Sequence, residues 1–306
     1  MIREFLKRNQ YIVDIYKKLH LHYRQVLSTI SPTVASKVIY KKNFNRTLNL
    51  DNPQDFNEKL MWLKLNFYRN NPLVTQCADK YKAREYVKQC GYEEILNDLI
   101  GVWDSVDQIN WDELPDKFVI KCNHGAGYNI ICDDKKKLDI DNAKTKLKKW
   151  MREDFWKKNA EINYKEISKK IICEKYISNG QGLFPIDYKI YCFNGEPLYI
   201  GCFIERDKET LKVKRGYFNF DWEPQDFLID KFKYHNNKFP KPKNLEKMYT
   251  IAKDLCRPFP FVRVDFYECG DKIIFGELTF TPTACLATYF NEETQKKLGD
   301  LILLPK

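Results

Sequence analysis

The chain has 306 residues, 43% hydrophobic and 31% charged, which suits roughly two domains with a real core and excludes wholesale disorder. Mean hydropathy is −0.57, and no apolar run approaches the ~18 residues of a membrane-spanning helix, so a transmembrane chain is excluded. Lys and Arg number 52 against 42 Asp and Glu, a net +10, which favours an acidic partner: nucleic acid, an anionic membrane surface, a nucleotide or a polyanionic substrate.

From the N-terminus, residues 1–50 read as helix, with Ile2, Phe5, Leu6, Ile12, Tyr16 and Leu19 recurring at three- and four-residue steps among Lys and Arg. Such a basic amphipathic segment either lies on a membrane surface or packs on its own protein; packing is the expectation. Asn52, Pro53 and Asp55 supply an N-cap, a proline at the first helical position and an acid at the third, predicting a helix through Phe56, Leu60, Leu63 and Phe67. One further helix is expected over about 74–89, ending near Gly91. From Lys117 the pattern turns to strands, 118–122 and 130–132, around a glycine-bearing loop. A lysine-rich helix (141–157) and a strand (171–177) follow. Strands 187–193 and 197–204 form a hairpin about Asn194–Gly195. Residues 221–243 read as a long surface loop, Asn244 caps a helix to about Cys256, and 261–267 with 273–280 make the last hairpin. This irregular mixture with antiparallel hairpins is α+β.

The ten cysteines include no Cys-x-x-Cys, and Cys122 and Cys173 sit in apolar runs where a thiol acts as a small hydrophobe. With no signal peptide at the start, a reducing cytosol is expected. The four histidines lack zinc-ligand spacing to any cysteine.

The last hairpin carries the most chemistry. Alternation puts Arg263 and Asp265 on one face and Val262, Val264 and Phe266 on the other; Glu277 and Thr279 share a face of the return strand. A three-residue turn, Gly270–Asp271–Lys272, sets Cys269 opposite Ile273 and Asp265 opposite Glu277; a two-residue turn would break the match of apolar to apolar. Two carboxylates ~5 Å apart repel by about 3 kcal/mol at an effective dielectric of 20, relieved by solvent or by a cation. The apolar flanks favour a cation, and Mg²⁺ shared with phosphate oxygens suits two carboxylates. Upstream, Lys121 and the loop glycines Gly125 and Gly127 could cradle phosphates, although a plain hairpin loop fits equally. No Gly-x-Ser-x-Gly elbow supports nucleophilic catalysis.

In chain order, Lys121, the glycine loop, Glu174–Lys175–Tyr176–Ile177, Asp187, Arg263–Val264–Asp265 and Glu277–Leu278–Thr279 resemble the ATP-grasp enzymes. The match is nearest to the TupA-like ATP-grasp group of bacterial surface-polysaccharide clusters, often labelled glycosyltransferases, and runs from about residue 40 to 302. The resemblance implies an ATP-grasp fold, two α+β subdomains clamping ATP. A helical extension (1–50) and a leading region (51–116) would precede a core (117–306) divided at 173/174. It implies that Lys80 and Lys121 contact ATP phosphates, that Gly125, Ala126 and Gly127 form the loop over the triphosphate, and that Glu174, Lys175, Tyr176 and Ile177 form the hinge at the adenine. Asp187 would lie near the ribose, Lys189 would reach phosphate, Arg263 would stabilise the transferring group, and Asp265 and Glu277 would hold Mg²⁺. Thr279 stands where most of these ligases place an Asn as ligand to a second Mg²⁺. Residues 281–285 lack the glycines associated with that end of the site. Read without the family, Lys80 and Lys121 are surface lysines, Lys189 is a solvated one, 174–177 a strand end, and Arg263 a charge partner of Glu277.

The activity so implied is ATP-dependent carboxylate–amine ligation through an acyl phosphate. The carboxylate would be a uronic acid of a capsular or cell-wall polysaccharide or its precursor, and the amine an amino acid or small amino alcohol. Nucleic acid is not an expected partner. The rival readings are a glycosyltransferase, which commonly needs an Asp-x-Asp that this chain shows only at the start of a helix (Asp139–Ile140–Asp141), and a sugar kinase.

Overall fold

A computed structural model describes residues 10–178, 185–205, 213–234 and 238–305. The N-terminal stretch is two helices, α1 (Gln10–Ile30) and α2 (Pro32–Phe44), not one. Ser31 takes extended dihedrals and caps α2 with its side chain, and Pro32 occupies the first turn, where its missing N–H breaks no helical bond. α1 packs on α2 and on the turn at Phe155–Lys158, tied there by Arg24, which donates to Lys158 O and Asn159 Oδ1.

α3 (Phe56–Leu65) is capped by Asp55 and not by Asn52. Asp55 accepts from Glu58 N at 3.0 Å while the Glu58 carboxylate accepts from Gln54 N at 2.9 Å, so the cap lies three residues later than the proline suggested. The single helix expected over 74–89 is broken into α4 (Pro72–Ala78) and α5 (Ala83–Gln89). Asp79 makes the break: its carboxylate accepts from Tyr81 N (2.8 Å) and Lys82 N (3.3 Å), a local alternative to helical bonding that frees Lys80 from a helix.

The first sheet is antiparallel, in the order β1 (Leu99–Trp103), β4 (Ile171–Lys175), β2 (Phe118–Cys122), β3 (Asn129–Cys132). It is backed by α6 (Ile140–Arg152), whose Ala143 and Leu147 are buried. The second is also antiparallel, in the order β7 (Lys214–Phe218), β6 (Glu196–Ile204), β5 (Asp187–Phe193), β8 (Phe261–Cys269), β9 (Lys272–Thr279). The β5–β6 turn is the one expected, Asn194 and Gly195 both having positive φ (51° and 81°). α7 (Leu245–Cys256) covers one face of this sheet with Met248, Ile251 and Leu255. Its expected cap is absent: Asn244 donates instead to Glu268 Oε1, 3.0 Å away. Residues 221–243 are not merely a surface loop, since Phe227 and Leu228 are buried and Leu228 bridges to Phe290. β1, β7 and α8 (Glu292–Asp300) were not foreseen from the pattern. All ten cysteines are free thiols.

The β8–β9 register corrects the turn while keeping the pairing that mattered. Cys269 pairs with Lys272, so the turn is the two-residue Gly270–Asp271. A bulge between Asp265 and Phe266 then restores the alternation: Phe266 pairs with Phe275, but Asp265 pairs with Glu277, leaving Gly276 as the extra residue. A Cβ at Gly276 would lie 3.0 Å from Asp265 O and 3.3 Å from Asp265 Cβ. The bulge therefore favours a residue without a side chain.

Candidate active site

The face of the second sheet away from α7 changes character along its strands. At one end Phe193 and Phe261 pack on Phe56 of α3. Two residues further along β8 the face becomes charged, in rows set by strand pairing. Lys189, Asp265 and Glu277 lie opposite one another across β5, β8 and β9, and the adjacent row is Tyr191, Arg263 and Thr279.

Arg263 grips Asp265 with two bonds, Nε to Oδ1 at 2.6 Å and Nη2 to Oδ2 at 2.7 Å. The same Nη2 reaches Thr279 Oγ1 (3.1 Å) and Glu277 Oε1 (3.4 Å), and Thr279 donates to Glu277 Oε1 at 2.8 Å. Lys189 Nζ bridges Asp265 Oδ2 (2.5 Å) and Asp187 Oδ2 (2.8 Å). From the α4–α5 break, Lys80 Nζ reaches Glu277 Oε2 at 3.1 Å. Seven residues expected to share a site therefore meet: Lys80, Asp187, Lys189, Arg263, Asp265, Glu277 and Thr279. Burial works against the Glu277 carboxylate, yet Lys80, Arg263 and Lys189 together hold it well below the usual carboxylate range. For Asp265 burial pushes upward against the pull of Arg263 and Lys189.

A second ion pair sits on the first sheet. Lys121 on β2 donates to Glu174 Oε2 on β4 at 2.6 Å, and Arg84 of α5 reaches Glu174 Oε1 at 3.3 Å while bonding Asn97 O at 2.8 Å. Asn123 joins the two regions. Its side chain donates to Asp79 Oδ1 (2.8 Å) and accepts from Lys170 N (2.7 Å), and its carbonyl accepts from Lys80 N (3.2 Å). Asp79 and Asn123 fix the backbone at Lys80, and Arg84 holds Glu174, contacts that the sequence reading did not foresee. Their signal would have been the Asp at the helix break and the polar Asn at the end of an apolar strand.

In the glycine loop, Gly125 is buried with its Cα against Phe155, where a Cβ would meet the ring at 2.6 Å, and Gly127 has φ +76°. Packing and turn geometry thus require both glycines, while Ala126 is exposed. His124 is buried with Nε2 at 3.2 Å from Trp150 O; burial, then the Lys169 charge, lowers it to about 4. Of the expected hinge, Glu174 faces Lys121, whereas Lys175 faces Asp98 (3.1 Å) near solvent. Tyr176 and Ile177 follow the end of β4 on the way to the second sheet. Beyond β9, Thr283, Ala284 and Cys285 all take left-handed φ (53°, 56° and 61°). The segment lacks glycines but keeps glycine-like backbone, at a cost of order 1 kcal/mol per residue.

Among the described residues no three His, Cys, Asp or Glu side chains cluster to hold a metal by themselves. The donor chemistry nevertheless fits Mg²⁺ as a shared ion. Asp265 and Glu277 are paired hard oxygen donors, and the remaining positions would fall to phosphate and water.

Two antiparallel sheets, the first carrying the Lys121–Glu174 pair and the second the carboxylate–arginine hairpin, define an α+β fold. Residues 58–303 match the family model described as TupA-like ATPgrasp, and the chain belongs to that family. No curated protein sequence matches it. Solved structures similar to it include D-alanine–D-alanine ligase from Bacillus anthracis complexed with ATP (16% identity, 74% of this chain and 64% of that one, TM-score 0.44). Others are L-amino acid ligase from Bacillus licheniformis (13%, 82% and 56%, TM-score 0.43), and ATP-grasp ligase PsnB complexed with a phosphomimetic variant of minimal precursor, Mg and ADP (10%, 76% and 60%, TM-score 0.41). The chain spans less than two thirds of the length of each of these three.

Proposed function

We propose that the protein is an ATP-dependent carboxylate–amine ligase that forms an amide through an acyl phosphate. The observation that carries this reading is the cation set Lys80, Lys189 and Arg263 closed around Asp265 and Glu277. It is suited to phosphoryl-transfer charge, and burial raises the Cys285 thiol, six residues beyond Thr279, to about 12.

On nucleotide binding, Lys80 and Lys121 exchange their carboxylate partners for phosphate oxygens. The backbone of 174–177 meets the adenine, Asp187 the ribose, and the loop Gly125–Ala126–Gly127 closes over the triphosphate. Asp265 and Glu277 would hold Mg²⁺, which supplies charge neutralisation on the β- and γ-phosphates when bound. A substrate carboxylate oxygen attacks the γ-phosphorus in line, the bond to the bridging oxygen breaks, and ADP leaves with that electron pair. Arg263 stabilises charge on the transferring group. An amine then attacks the acyl carbon, phosphate departs, and the amide remains. Thr279, bonded to both Glu277 and Arg263, serves as a positioning residue. The net +10 suits an anionic saccharide, so the proposed carboxylate is a uronic acid of a capsular or cell-wall polysaccharide or its precursor.

The test is release of ADP and phosphate across a matrix of uronic acids and amines, with mass spectrometry of products. Turnover should require both substrates, and hydroxylamine in place of the amine should trap the acyl phosphate as a hydroxamate. An alcohol acceptor yielding a phosphate ester would make the protein a kinase, and sugar transfer without ATP cleavage a glycosyltransferase.

A further inference from the structure

α1 and α2 present an apolar face that no described residue covers. On α1, Ile15, Leu19, Tyr23, Val26 and Ile30 follow at steps of three and four residues, one stripe of a helix, and each is between 41% and 75% exposed. On α2, Val34 and Val38, one turn apart, are 47% and 37% exposed. The helices are held to the protein from the other side, through Arg24 and the buried Ser28 and Ser36.

Charge is concentrated on the same element. Residues 10–44 contain six Lys and Arg but only one acid, so five of the ten excess positive charges of the chain lie there. Lys37 and Lys41 are exposed and flank Val34 and Val38 at helical spacing; Lys17 and Lys18 are exposed on α1. No helix among the described residues is long and apolar enough to cross a membrane, so any lipid contact would be peripheral.

We propose that the α1–α2 face docks on an anionic lipid surface, its stripe entering the boundary between headgroups and acyl chains while the flanking lysines meet lipid phosphates. A nucleic acid would satisfy the lysines but leave the aliphatic stripe against phosphates. A second copy would cover the stripe but bring two strongly cationic elements together. A bilayer with anionic headgroups matches both features, and the surface stands independently of the ligase reading.

The experiment is co-sedimentation of the full chain with vesicles of phosphatidylcholine alone or with phosphatidylglycerol. Binding should require the anionic lipid and weaken with salt. Leu19→Glu with Ile30→Glu should lower the partition coefficient about tenfold or more, and Lys37→Glu with Lys41→Glu by a similar factor. Both variants should keep the cooperative thermal unfolding of the parent chain. Tyr23→Trp gives a readout that does not depend on charge reversal: its emission should shift to the blue only with anionic vesicles. Vesicle binding indifferent to Leu19 and Ile30, absence of binding, a dimer in sedimentation velocity that the Leu19/Ile30 variant dissolves, or an unshifted Tyr23→Trp spectrum would each overturn the proposal.

Discussion

The two sheets hold their functional charges differently. On the second, six charged or polar side chains come from three neighbouring strands and are bonded two and three deep, so strand pairing itself fixes their spacing. On the first, a single carboxylate, Glu174, lies between Lys121 of the same sheet and Arg84 of α5. On the proposed function, the second acts as a rigid lattice and the first as an exchangeable contact. Changes in the lattice should act on the chemical step, and changes in the contact on nucleotide affinity.

The largest effect that would break this comparison is at Glu277. Glu277→Gln should reduce ADP release by about 10³-fold, on the scale of removing an electrostatic stabiliser, with the thermal unfolding curve still cooperative. Full activity in that variant would remove the metal role. Next comes the contrast between Arg263 and Lys121. Arg263→Lys exchanges a bidentate fork for a point charge and should lower kcat about 10²-fold with little change in KM for ATP. Lys121→Met should show the reverse, a KM raised about tenfold with a smaller change in kcat. Steady-state kinetics of both variants decide it, and equal effects on kcat would erase the distinction between the sheets.

The same contrast explains what could be read in advance. Arg263, Asp265, Glu277 and Thr279 were legible because a period of two puts them on one face whatever the rest of the protein does. Lys80 was set inside a helix because the break depends on the Asp79 carboxylate, which is itself held by Asn123 from 44 positions away. The part played by Arg84 could not be read for the same reason: its partner Glu174 is 90 residues distant. The β8–β9 turn was misjudged since a shorter turn and a bulge at Gly276 cancel, leaving the pairing of Asp265 with Glu277 unchanged. β1 escaped notice as a five-residue edge strand interrupted by Gly101. Pro53 suggested a helix start that Asp55 takes over by pairing with Glu58 N.

A smaller effect, on stability, sharpens the picture of the first sheet. His124 titrates near 4 instead of its ordinary 6.5 because burial, helped by Lys169, disfavours the imidazolium. Between those values the unfolded chain takes up a proton that the native state refuses, so stability falls as pH drops from 6.5 towards 4. The loss should be about 3 kcal/mol. His124→Gln, which keeps a donor for Trp150 O, should flatten chemical-denaturation stability across that window. An unchanged slope would mean that the imidazole is already solvated. Glu277 acts at more acid pH: its lowered value contributes stability above the ordinary 4.5, lost as pH falls further.

The smallest effect tests how rigid the second sheet is. Gly276→Ala adds one methyl 3.0 Å from Asp265 O, closer than ordinary contact, and 3.3 Å from Asp265 Cβ. Asp265 cannot swing freely, since Arg263 holds both its oxygens and Lys189 one of them. The methyl must therefore move the β9 backbone, and with it Glu277, by a few tenths of an ångström relative to Asp265. Overpacking of this kind costs about 1 kcal/mol at its low end, so the melting temperature should fall by a few degrees. If the site is a lattice, kcat should fall severalfold as the two carboxylates lose their spacing, while KM for ATP, governed from the first sheet, stays put. A variant equally destabilised but with unaltered kcat would show that the β8–β9 pair tolerates displacement, and the contrast between a rigid and an exchangeable half of the site would have to be given up.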